Sequence, residues 1–373
     1  MDYLGKDTFK LGFGLMRLPK NDDGSSSVEK TSEMVDEFIK AGGTYFDTAY
    51  VYGDSEETTK KALVERHPRE TYTLASKINA HASGCKSAKD CKQQLFTSLE
   101  RTGAQYFDYY LIHTVGRNNI KEYDDWGIWD FVKEQKEKGL IKHWGFSFHD
   151  SAEFLDEVLS KHPDVEFVQL QINYADWDNP KIESRACYEV ARKHNKPIVV
   201  MEPVKGGALA NPIDDVKKIF KDANPDASYA SWAIRYVASL DGILTVLSGM
   251  SSLEQMQDNL SYMKDFKPLD ENEKEVINKV RQTLSGIESI ECTACRYCTE
   301  GCPMNIPIPD IFDVRNQQLR LNIEDKRAKN SYNFQTSNKG KASECIECGQ
   351  CESQCPQHLS IIELLKECAL NLE

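Results

Sequence analysis

The stretch TYTLASKINAHASGCKSAKDCKQQLFTSLERTGAQYFDYYLIH (71–113) contains two apolar runs of strand length with an amphipathic segment between them. The two runs are TYTLAS (71–76) and YFDYYLIH (106–113), and the amphipathic segment is KDCKQQLFTSLERTG (89–103). Strands that alternate with helices are typical of a parallel α/β fold.

The same alternation continues on both sides of this stretch. Later strand-length runs are IKHWGFSF (141–148), VEFVQLQI (165–172), PIVVMEPV (197–204) and GILTVLSG (242–249), and earlier ones lie in KLGFGLMRLP (10–19) and TYFDTAY (44–50). Eight strands within residues 1–285 predict a (β/α)8 TIM barrel. An open doubly wound sheet is the alternative, but the GFG at 12–14 is followed by LMR and does not form the phosphate-binding loop of such a sheet.

The composition changes after the helix-like segment EKEVINKVRQTLS (273–285), where the chain becomes rich in Cys, Pro, Asn and Gln. We therefore predict a barrel domain over 1–285 and a small, α-helical, ferredoxin-like domain over 286–373. The charged stretch EDKRAKN (324–330) is expected to form a solvated loop or helix face.

The 373-residue chain is acidic, with 46 Lys and Arg against 59 Asp and Glu and a formal net charge of −13. Nucleic acids and anionic membranes would repel such a chain, so neither is an expected partner. The sequence contains no apolar stretch of membrane-spanning length, and MDYLGKDTFK has no secretory signal pattern. We expect a cytoplasmic protein.

Eight of the twelve cysteines form a repeated motif. CTACRYCTEGCP (292–303) and CIECGQCESQCP (345–356) share the spacing C-x2-C-x2-C-x3-C-P, and the second begins 53 positions after the first. In two-cluster ferredoxins the first three cysteines of each motif bind one 4Fe-4S cluster, while the fourth binds the other. This pattern predicts one cluster on Cys292, Cys295, Cys298 and Cys355, and a second on Cys345, Cys348, Cys351 and Cys302.

Two other interpretations of the cysteines remain. Zinc also takes four thiolates, but its sites usually pair two C-x2-C elements across a longer gap, without the third cysteine and the proline. The clusters can also serve only to hold a small domain together.

Four polar residues lie at or just after predicted strand ends, where barrel enzymes place their chemistry. Asp47 follows TYF, Lys77 ends TYTLASK, His113 ends YFDYYLIH, and Tyr52 lies in the loop after Asp47. Each alone has a structural explanation, such as a turn, a solvated strand end or an aromatic cover. Together they suit carbonyl reduction, in which hydride reaches the carbon and a proton must reach the oxygen.

The expected roles follow from ordinary acid–base chemistry. Tyr52 would donate the proton, and Lys77 would lower the tyrosine pKa from its free value of about 10. Asp47 would keep the lysine charged and oriented, and His113 would hydrogen-bond to the carbonyl oxygen. These four residues are the predicted catalytic set.

The motifs GFGLMRLP, YFDTAYVYGDSEE, LASK, LIH, WGFSFH, QINY and LSGMSSLEQMQDN resemble, in order, those of the aldo-keto reductases over residues 1–285. With the cysteine motifs, the chain resembles the ferredoxin-bearing branch of that family, which occurs in anaerobic bacteria and archaea. The resemblance implies a barrel that holds NAD(H) or NADP(H) across its top, and it places the family's catalytic tetrad on Asp47, Tyr52, Lys77 and His113.

The resemblance also implies cofactor contacts. Met16 and Arg17 match positions beside the nicotinamide, Ser147 and Gln171 match positions at its carboxamide and ring, and Pro203 and Gly206 match the pyrophosphate segment. The adenosine end would be reached by Ser251, Gln255, Asp258 and Asn259. Ser251 is also a good helix N-cap, with Glu254 three residues later. Because Met250, Ser251 and Ser252 stand where many members carry Lys or Arg for a 2′-phosphate, NADH is at least as well suited as NADPH.

Trp126, Trp129 and Trp177 lie in or near loops after predicted strands. They could form the wall of a substrate pocket, or they could pack the barrel against the cysteine-rich domain.

Hydride transfer moves two electrons, whereas iron–sulfur clusters move one electron at a time. The clusters therefore need a bound flavin, an external electron-transfer partner such as a ferredoxin, a substrate that itself accepts single electrons, or a structural or sensory role. Two functions remain. The first is an oxidoreductase acting on a small carbonyl or alcohol, and the second is a redox-sensing or regulatory cofactor-binding subunit. The complete tetrad favours the enzyme.

Overall fold

A computed structural model describes residues 4–287, 289–292 and 294–373. The described chain forms two compact units. One comprises the residues up to Gly206 together with Ala230–Lys274, and the other comprises Gly207–Tyr229 with Glu275–Glu373. The domain boundary near residue 286 stays a prediction.

The first unit is built on a closed barrel of eight parallel strands among the described residues, each paired with the next, and β8 pairs with β1. The strands are β1 (Leu11–Gly14), β2 (Tyr45–Asp47), β3 (Thr73–Ile78), β4 (Phe107–Val115), β5 (Ile141–Phe148), β6 (Phe167–Gln171), β7 (Ile198–Met201) and β8 (Ile243–Ser248). The TIM barrel predicted from the strand–helix alternation is confirmed.

Helices alternate with these strands. They are α1 (Val28–Lys40), α2 (Ser55–Thr59), α3 (Ala88–Thr102), α4 (Ile120–Asp125), α5 (Ile128–Glu137), α6 (Ala152–Lys161), α7 (Ser184–Lys193), α8 (Asp214–Ala223), α9 (Tyr229–Ala238), α10 (Leu253–Met263) and α11 (Glu271–Ser285). Ser27 and Ser87 cap α1 and α3, each accepting a hydrogen bond from a backbone N–H in the first turn. Such caps satisfy donors that the helix itself leaves unpaired.

Several strands are shorter than the sequence predicts, β1 and β2 most of all. β2 covers only Tyr45–Asp47 of TYFDTAY, and in KLGFGLMRLP the chain leaves β1 at Gly14 for a 3₁₀ turn over Leu15–Arg17. Close packing between β5 and β6 explains the glycine at position 145, because a Cβ on Gly145 would lie 2.3 Å from the Phe167 carbonyl oxygen of β6.

The cysteine-rich region contains short helices around a small core of its own. The helices are α12 (Tyr297–Glu300), α13 (Ile308–Leu321), α14 (Asp325–Thr336), α15 (Gln350–Ser353) and α16 (Ile361–Leu372). Ile311, Phe312, Tyr332 and Leu365 are among its buried residues. Most of EDKRAKN lies in α14, so the helix-face alternative is the correct one. Among the described helices, none combines the length and the apolar character that crossing a bilayer requires.

The position of Trp129 differs from the expectation that it forms the wall of a substrate pocket. It is 4% exposed in the barrel unit's own core, where its ring stacks on His162 at 3.8 Å, so it forms no pocket wall. Trp126 and Trp177 are half-buried against the same core.

Candidate active site and cysteine cavities

The candidate catalytic residues lie at the carboxyl ends of neighbouring strands. Side chains two apart on a strand share a face, so Asp47 follows Tyr45 and His113 follows Leu111 along the same side of the sheet. Tyr45 and Leu111 belong to a buried cluster that also contains Ala75, two residues before Lys77. The three polar side chains therefore continue the same face toward the strand ends.

Asp47 and Lys77 form a buried ion pair. The Lys77 Nζ donates to Asp47 Oδ1 at 2.5 Å and to the Thr48 carbonyl at 2.7 Å. Burial lowers the pKa of Lys77, but Asp47 and Tyr52 outweigh burial, so the lysine pKa lies above its ordinary value. Burial also raises the pKa of Asp47, and Lys77 opposes that rise. Lys77 is therefore held as a cation.

Tyr52 lies close to both Lys77 and His113. Its ring centre is 4.8 Å from Lys77 Nζ and 5.7 Å from the His113 ring centre. Burial raises the pKa of Tyr52, and although Lys77 lowers it, the net shift is upward. Lys77 therefore acts on this pKa in the expected direction, but desolvation of the phenol outweighs the nearby charge.

His113 is buried and neutral. Burial, with a smaller contribution from Lys77, holds its pKa well below the ordinary 6.5. Its carbonyl oxygen accepts a hydrogen bond from the Tyr123 hydroxyl at 2.6 Å, which fixes the strand end. Among the described residues, His113 Nδ1 and Asp47 Oδ2 are buried without hydrogen-bond partners. Unpaired buried polar atoms at a strand end are typical of a site that a ligand completes.

Several predicted cofactor contacts meet around Arg17. Its guanidinium donates to the Gly206 carbonyl at 3.3 Å, and its own carbonyl accepts from the Ser251 hydroxyl at 2.7 Å. Met16 beside it is 59% exposed, and Pro203 is buried near Gly206. Residues distant in sequence thus meet at the carboxyl end of the barrel.

The two residues predicted to contact the nicotinamide carboxamide and ring form hydrogen bonds to other groups of the protein. Ser147 Oγ accepts from the Thr114 N–H at 2.7 Å, and the Gln171 amide donates to Asp176 at 3.1 Å. Asp176 in turn holds Lys205 through a buried ion pair of 2.7 Å. This network fixes Gln171 and the chain beside Gly206 relative to each other.

The adenosine-end residues do not form one open face. Asn259 is buried, donating to Ser248 Oγ at 2.7 Å and accepting from the Tyr262 hydroxyl at 2.6 Å. Asp258 is half-buried, while Ser251 and Gln255 are exposed, and the Gln255 side chain accepts from the Ser251 N–H at 2.8 Å.

The N-cap of α10 is Ser252, whose Oγ accepts from the Gln255 N–H, so the expectation for Ser251 is wrong by one residue. The Ser251 hydroxyl is directed to the Arg17 carbonyl instead.

Two residues near the site were missed from the sequence. His149 directly follows β5, and Glu202 directly follows β7 and pairs with Arg17 at 3.6 Å. Burial lowers the pKa of His149, with Glu202 opposing the shift. Their positions directly after strands could have marked them as candidate site residues, just as the position at a strand end did for His113.

The eight motif cysteines line two separate cavities. The first is lined by Cys292, Cys295, Cys298 and Cys355, and the second by Cys302, Cys345, Cys348 and Cys351. Each fourth cysteine therefore lies with the other motif's first three. Within the described parts of the chain, no three or more His, Cys, Asp or Glu side chains are grouped to hold a metal ion, and the cysteines instead surround open volumes.

The two motifs share a backbone conformation as well as a spacing. Left-handed φ angles occur at Ala294 and Arg296 in the first loop and, 53 positions later, at Glu347 and Gly349 in the second. Short helices α12 and α15 follow at the same offset. This conformation brings three cysteines of each loop around one cavity.

The donor chemistry fits iron–sulfur clusters, which require thiolates on every side of the group that they hold. Burial raises the pKa of Cys298 to about 12 and that of Cys351 to about 11. Ligation must therefore release protons from these thiols.

Comparisons with known proteins assign families to both regions. A model of the aldo/keto reductase family matches residues 10–282, and a model of the 4Fe-4S dicluster domain matches residues 291–360. The second match resolves the iron–sulfur and zinc alternatives in favour of iron–sulfur.

Individual proteins are similar over the barrel region. Aldo-keto reductase str7 of Strobilurus tenacellus is 33% identical over 212 residues, covering 54% of this chain but only 59% of that protein's length. The uncharacterized oxidoreductase YqkF of Bacillus subtilis is 24% identical over 308 residues, covering 74% of this chain and 94% of that protein.

Solved structures show the same fold. The holo form of aldo-keto reductase AKR11C1 from Bacillus halodurans superposes with a TM-score of 0.59 at 24% identity, over 74% of this chain and 95% of that one. An aldo/keto reductase from Klebsiella pneumoniae in complex with NADP and acetate gives a TM-score of 0.58 at 20% identity, over 73% and 91%.

Proposed function

This chain belongs to the aldo/keto reductase family of oxidoreductases, and we propose that it transfers hydride between a nicotinamide cofactor and a small carbonyl or alcohol substrate at the carboxyl end of its barrel. The observation that carries this proposal is that Lys77 lies 2.5 Å from Asp47 and 4.8 Å from the Tyr52 ring centre, and that the His113 ring centre lies 5.7 Å from the same ring.

Each member of this set has a role that its surroundings support. A bound nicotinamide cofactor supplies the hydride. Tyr52 gives its proton to the carbonyl oxygen, and Lys77 stabilises the phenolate until it regains a proton from solvent. The raised pKa of Tyr52 keeps the hydroxyl protonated before reaction. Neutral His113 donates a hydrogen bond to the same oxygen and holds the carbonyl in place.

Arg17, Gly206 and Ser251 meet at the barrel mouth and are the best-placed residues to hold the cofactor. The Klebsiella neighbour binds NADP. In this chain Met250, Ser251 and Ser252 follow Gly249 and provide no cation for a 2′-phosphate. We therefore expect NADH to be used at least as well as NADPH.

The chain also carries a 4Fe-4S dicluster domain. We propose that the first cavity holds one cluster and the second cavity the other, with Cys302 and Cys355 crossing between motifs. The clusters would pass single electrons to or from a separate partner such as a ferredoxin. A flavin bound by this chain has no support from the matched families, and a cytoplasmic location and an anaerobic source stay predictions.

The crossed ligation has a direct test in paired substitutions. Cys302→Ala should remove one cluster, and adding Cys348→Ala should remove no further iron because both cysteines belong to the second cavity. Adding Cys295→Ala to Cys302→Ala should instead remove the remaining cluster. Iron and sulfide analysis of anaerobically purified protein measures both outcomes, and the reverse pattern would contradict the crossed assignment.

The reductase activity is tested with anaerobically purified full-length protein and a panel of aldehydes and ketones. Oxidation of NADH or NADPH should depend on the carbonyl compound, and Asp47→Asn should slow it because that change weakens the hold on Lys77. A protein that binds the dinucleotide tightly but turns over no carbonyl or alcohol would be the regulatory subunit instead, and this proposal would fail.

A further inference from the structure

The two cysteine loops have the same backbone but differ in charge, because the first contains Arg296 and Glu300 and the second contains Glu347 and Glu352. Residues 53 apart are equivalent, since the left-handed positions and the short helices repeat at that offset. The first loop has Arg296 where the second has Gly349. It has neutral Ala294 and Thr299 where the second has Glu347 and Glu352.

The same asymmetry appears at the cavities. Arg296 lines the first cavity beside its four cysteines. Apart from the cysteines, the described residues that line the second cavity are all uncharged, namely Pro303, Met304, Ile306, Ile308, Ile346, Ile362 and Leu365. One cavity therefore has a cation at its wall and the other does not.

Arg296 is held in place at a conformational cost. Its φ of 65° lies in the left-handed region, which non-glycine residues rarely adopt, while the equivalent Gly349 adopts φ 72° without a side chain. The guanidinium makes a two-point contact with Asp310, at 2.8 and 3.1 Å. Arg296 is among the residues that line the first cavity and Asp310 is not.

The charges around the second loop do not reproduce this arrangement. Glu347 pairs with Lys366 at 3.2 Å, but Lys366 also pairs with Glu363 at 2.9 Å. Glu352 accepts from the Ile362 N–H at 2.9 Å and lies beside Cys351. The second loop therefore keeps an excess of negative charge.

We propose that Arg296 makes the cluster in the first cavity the more easily reduced of the two, so that a single electron entering this domain comes to rest there. Reduction adds one electron and therefore one negative charge to the cluster. A cation at the cavity wall stabilises that charge, and nearby carboxylates oppose it. Ile308 lines both cavities, so clusters held in them would lie close enough to exchange the electron.

This inference rests on the crossed ligation proposed above but not on the reaction of the barrel. The experiment is a reductive titration with dithionite and mediators, followed by EPR, on anaerobically purified full-length protein that retains both clusters. Three variants are compared with the wild type. Arg296→Gly installs the residue of the second loop, Gly349→Arg installs that of the first, and Arg315→Gln removes a cation that does not line either cavity.

The expected result is two reduction steps at different midpoint potentials in the wild type. Arg296→Gly should lower the higher midpoint potential and leave the lower one in place. Gly349→Arg should raise the lower one. A Cβ at Gly349 meets nothing within 4 Å, and although its φ of 72° strains a non-glycine residue, Arg296 already adopts a φ of 65° at the equivalent position. Arg315→Gln should leave both unchanged.

Two results would overturn the inference, and iron analysis separates them. Two intact clusters whose potentials do not respond to Gly349→Arg or Arg296→Gly would contradict the role of Arg296 alone. An iron content of about four per chain, that of one cluster, would contradict the two-cluster proposal and this inference with it. If Arg296→Gly fails to assemble the cluster of the first cavity, the inference is tested by whether Gly349→Arg raises the lower midpoint potential.

Discussion

Tyr52→Phe separates proton donation from every other role of this residue. The change removes one hydroxyl and leaves the ring beside Lys77 and His113. Lys77 keeps its contacts with Asp47 at 2.5 Å and with the Thr48 carbonyl at 2.7 Å, so the buried ion pair survives. The stability cost should therefore stay near that of one hydrogen bond, about 1 kcal/mol.

The cost to turnover should be much larger. Loss of a general acid typically slows the chemical step by about 10²–10⁴-fold, which corresponds to about 2.7–5.5 kcal/mol of activation free energy. Steady-state rates with NADH and a model aldehyde measure kcat, and fluorescence titration measures the dissociation constant of the dinucleotide, which should not change. Tyr50→Phe is the matched control, because the Tyr50 ring packs on Arg101 rather than on Lys77.

Unchanged turnover in Tyr52→Phe would refute the assignment of the proton donor. A drop in rate that is matched by an equal loss of dinucleotide binding would also refute it, because the residue would then act in binding alone.

Further predictions concern the buried groups of the barrel. Lys77→Met leaves the buried Asp47 carboxylate without its partner and should lower the free energy of unfolding by roughly 3–5 kcal/mol, as measured by chemical denaturation. Lys138→Met, which removes one partner of an exposed ion pair, should lower it by less than about 1 kcal/mol. Equal losses in the two variants would contradict the importance of the buried pair. Because the pKa of His113 is held well below 6.5, stability should fall as pH drops below that value, since only the unfolded chain gains the proton. His113→Gln should reduce this slope by up to about 1.4 kcal/mol per pH unit, and an unchanged slope would contradict the pKa direction. Gly145→Ala should lower the thermal midpoint, since its Cβ would meet the Phe167 carbonyl at 2.3 Å, and a neutral result would show that β5 can shift.

The barrel and the positions of the candidate catalytic residues were predictable because they depend on local patterns. Alternating apolar runs and helices gave the strand order, and the ends of strands pointed to Asp47, Lys77 and His113. The cysteine spacing likewise predicted that Cys302 and Cys355 exchange between the two cavities, which is how the structure places them.

Other features depend on tertiary surroundings that a sequence pattern does not contain. The upward pKa shift of Tyr52 arises from desolvation, and the burial of Asn259 arises from its partners Ser248 and Tyr262. The choice of Ser252 over Ser251 as the N-cap depends on the Arg17 carbonyl, which is distant in sequence and accepts from the Ser251 hydroxyl.

An absorbance spectrum of anaerobically purified protein, recorded before and after NADH and then dithionite, shows whether the chain holds two iron–sulfur clusters and whether they exchange electrons with the barrel. We expect a broad brown iron–sulfur band that NADH alone leaves in place, because hydride donors need an intermediary to reduce such clusters, and that dithionite then bleaches. Bleaching by NADH would contradict the separate-partner route and connect the barrel to the clusters. A colourless protein that contains zinc would contradict the two-cluster claim itself.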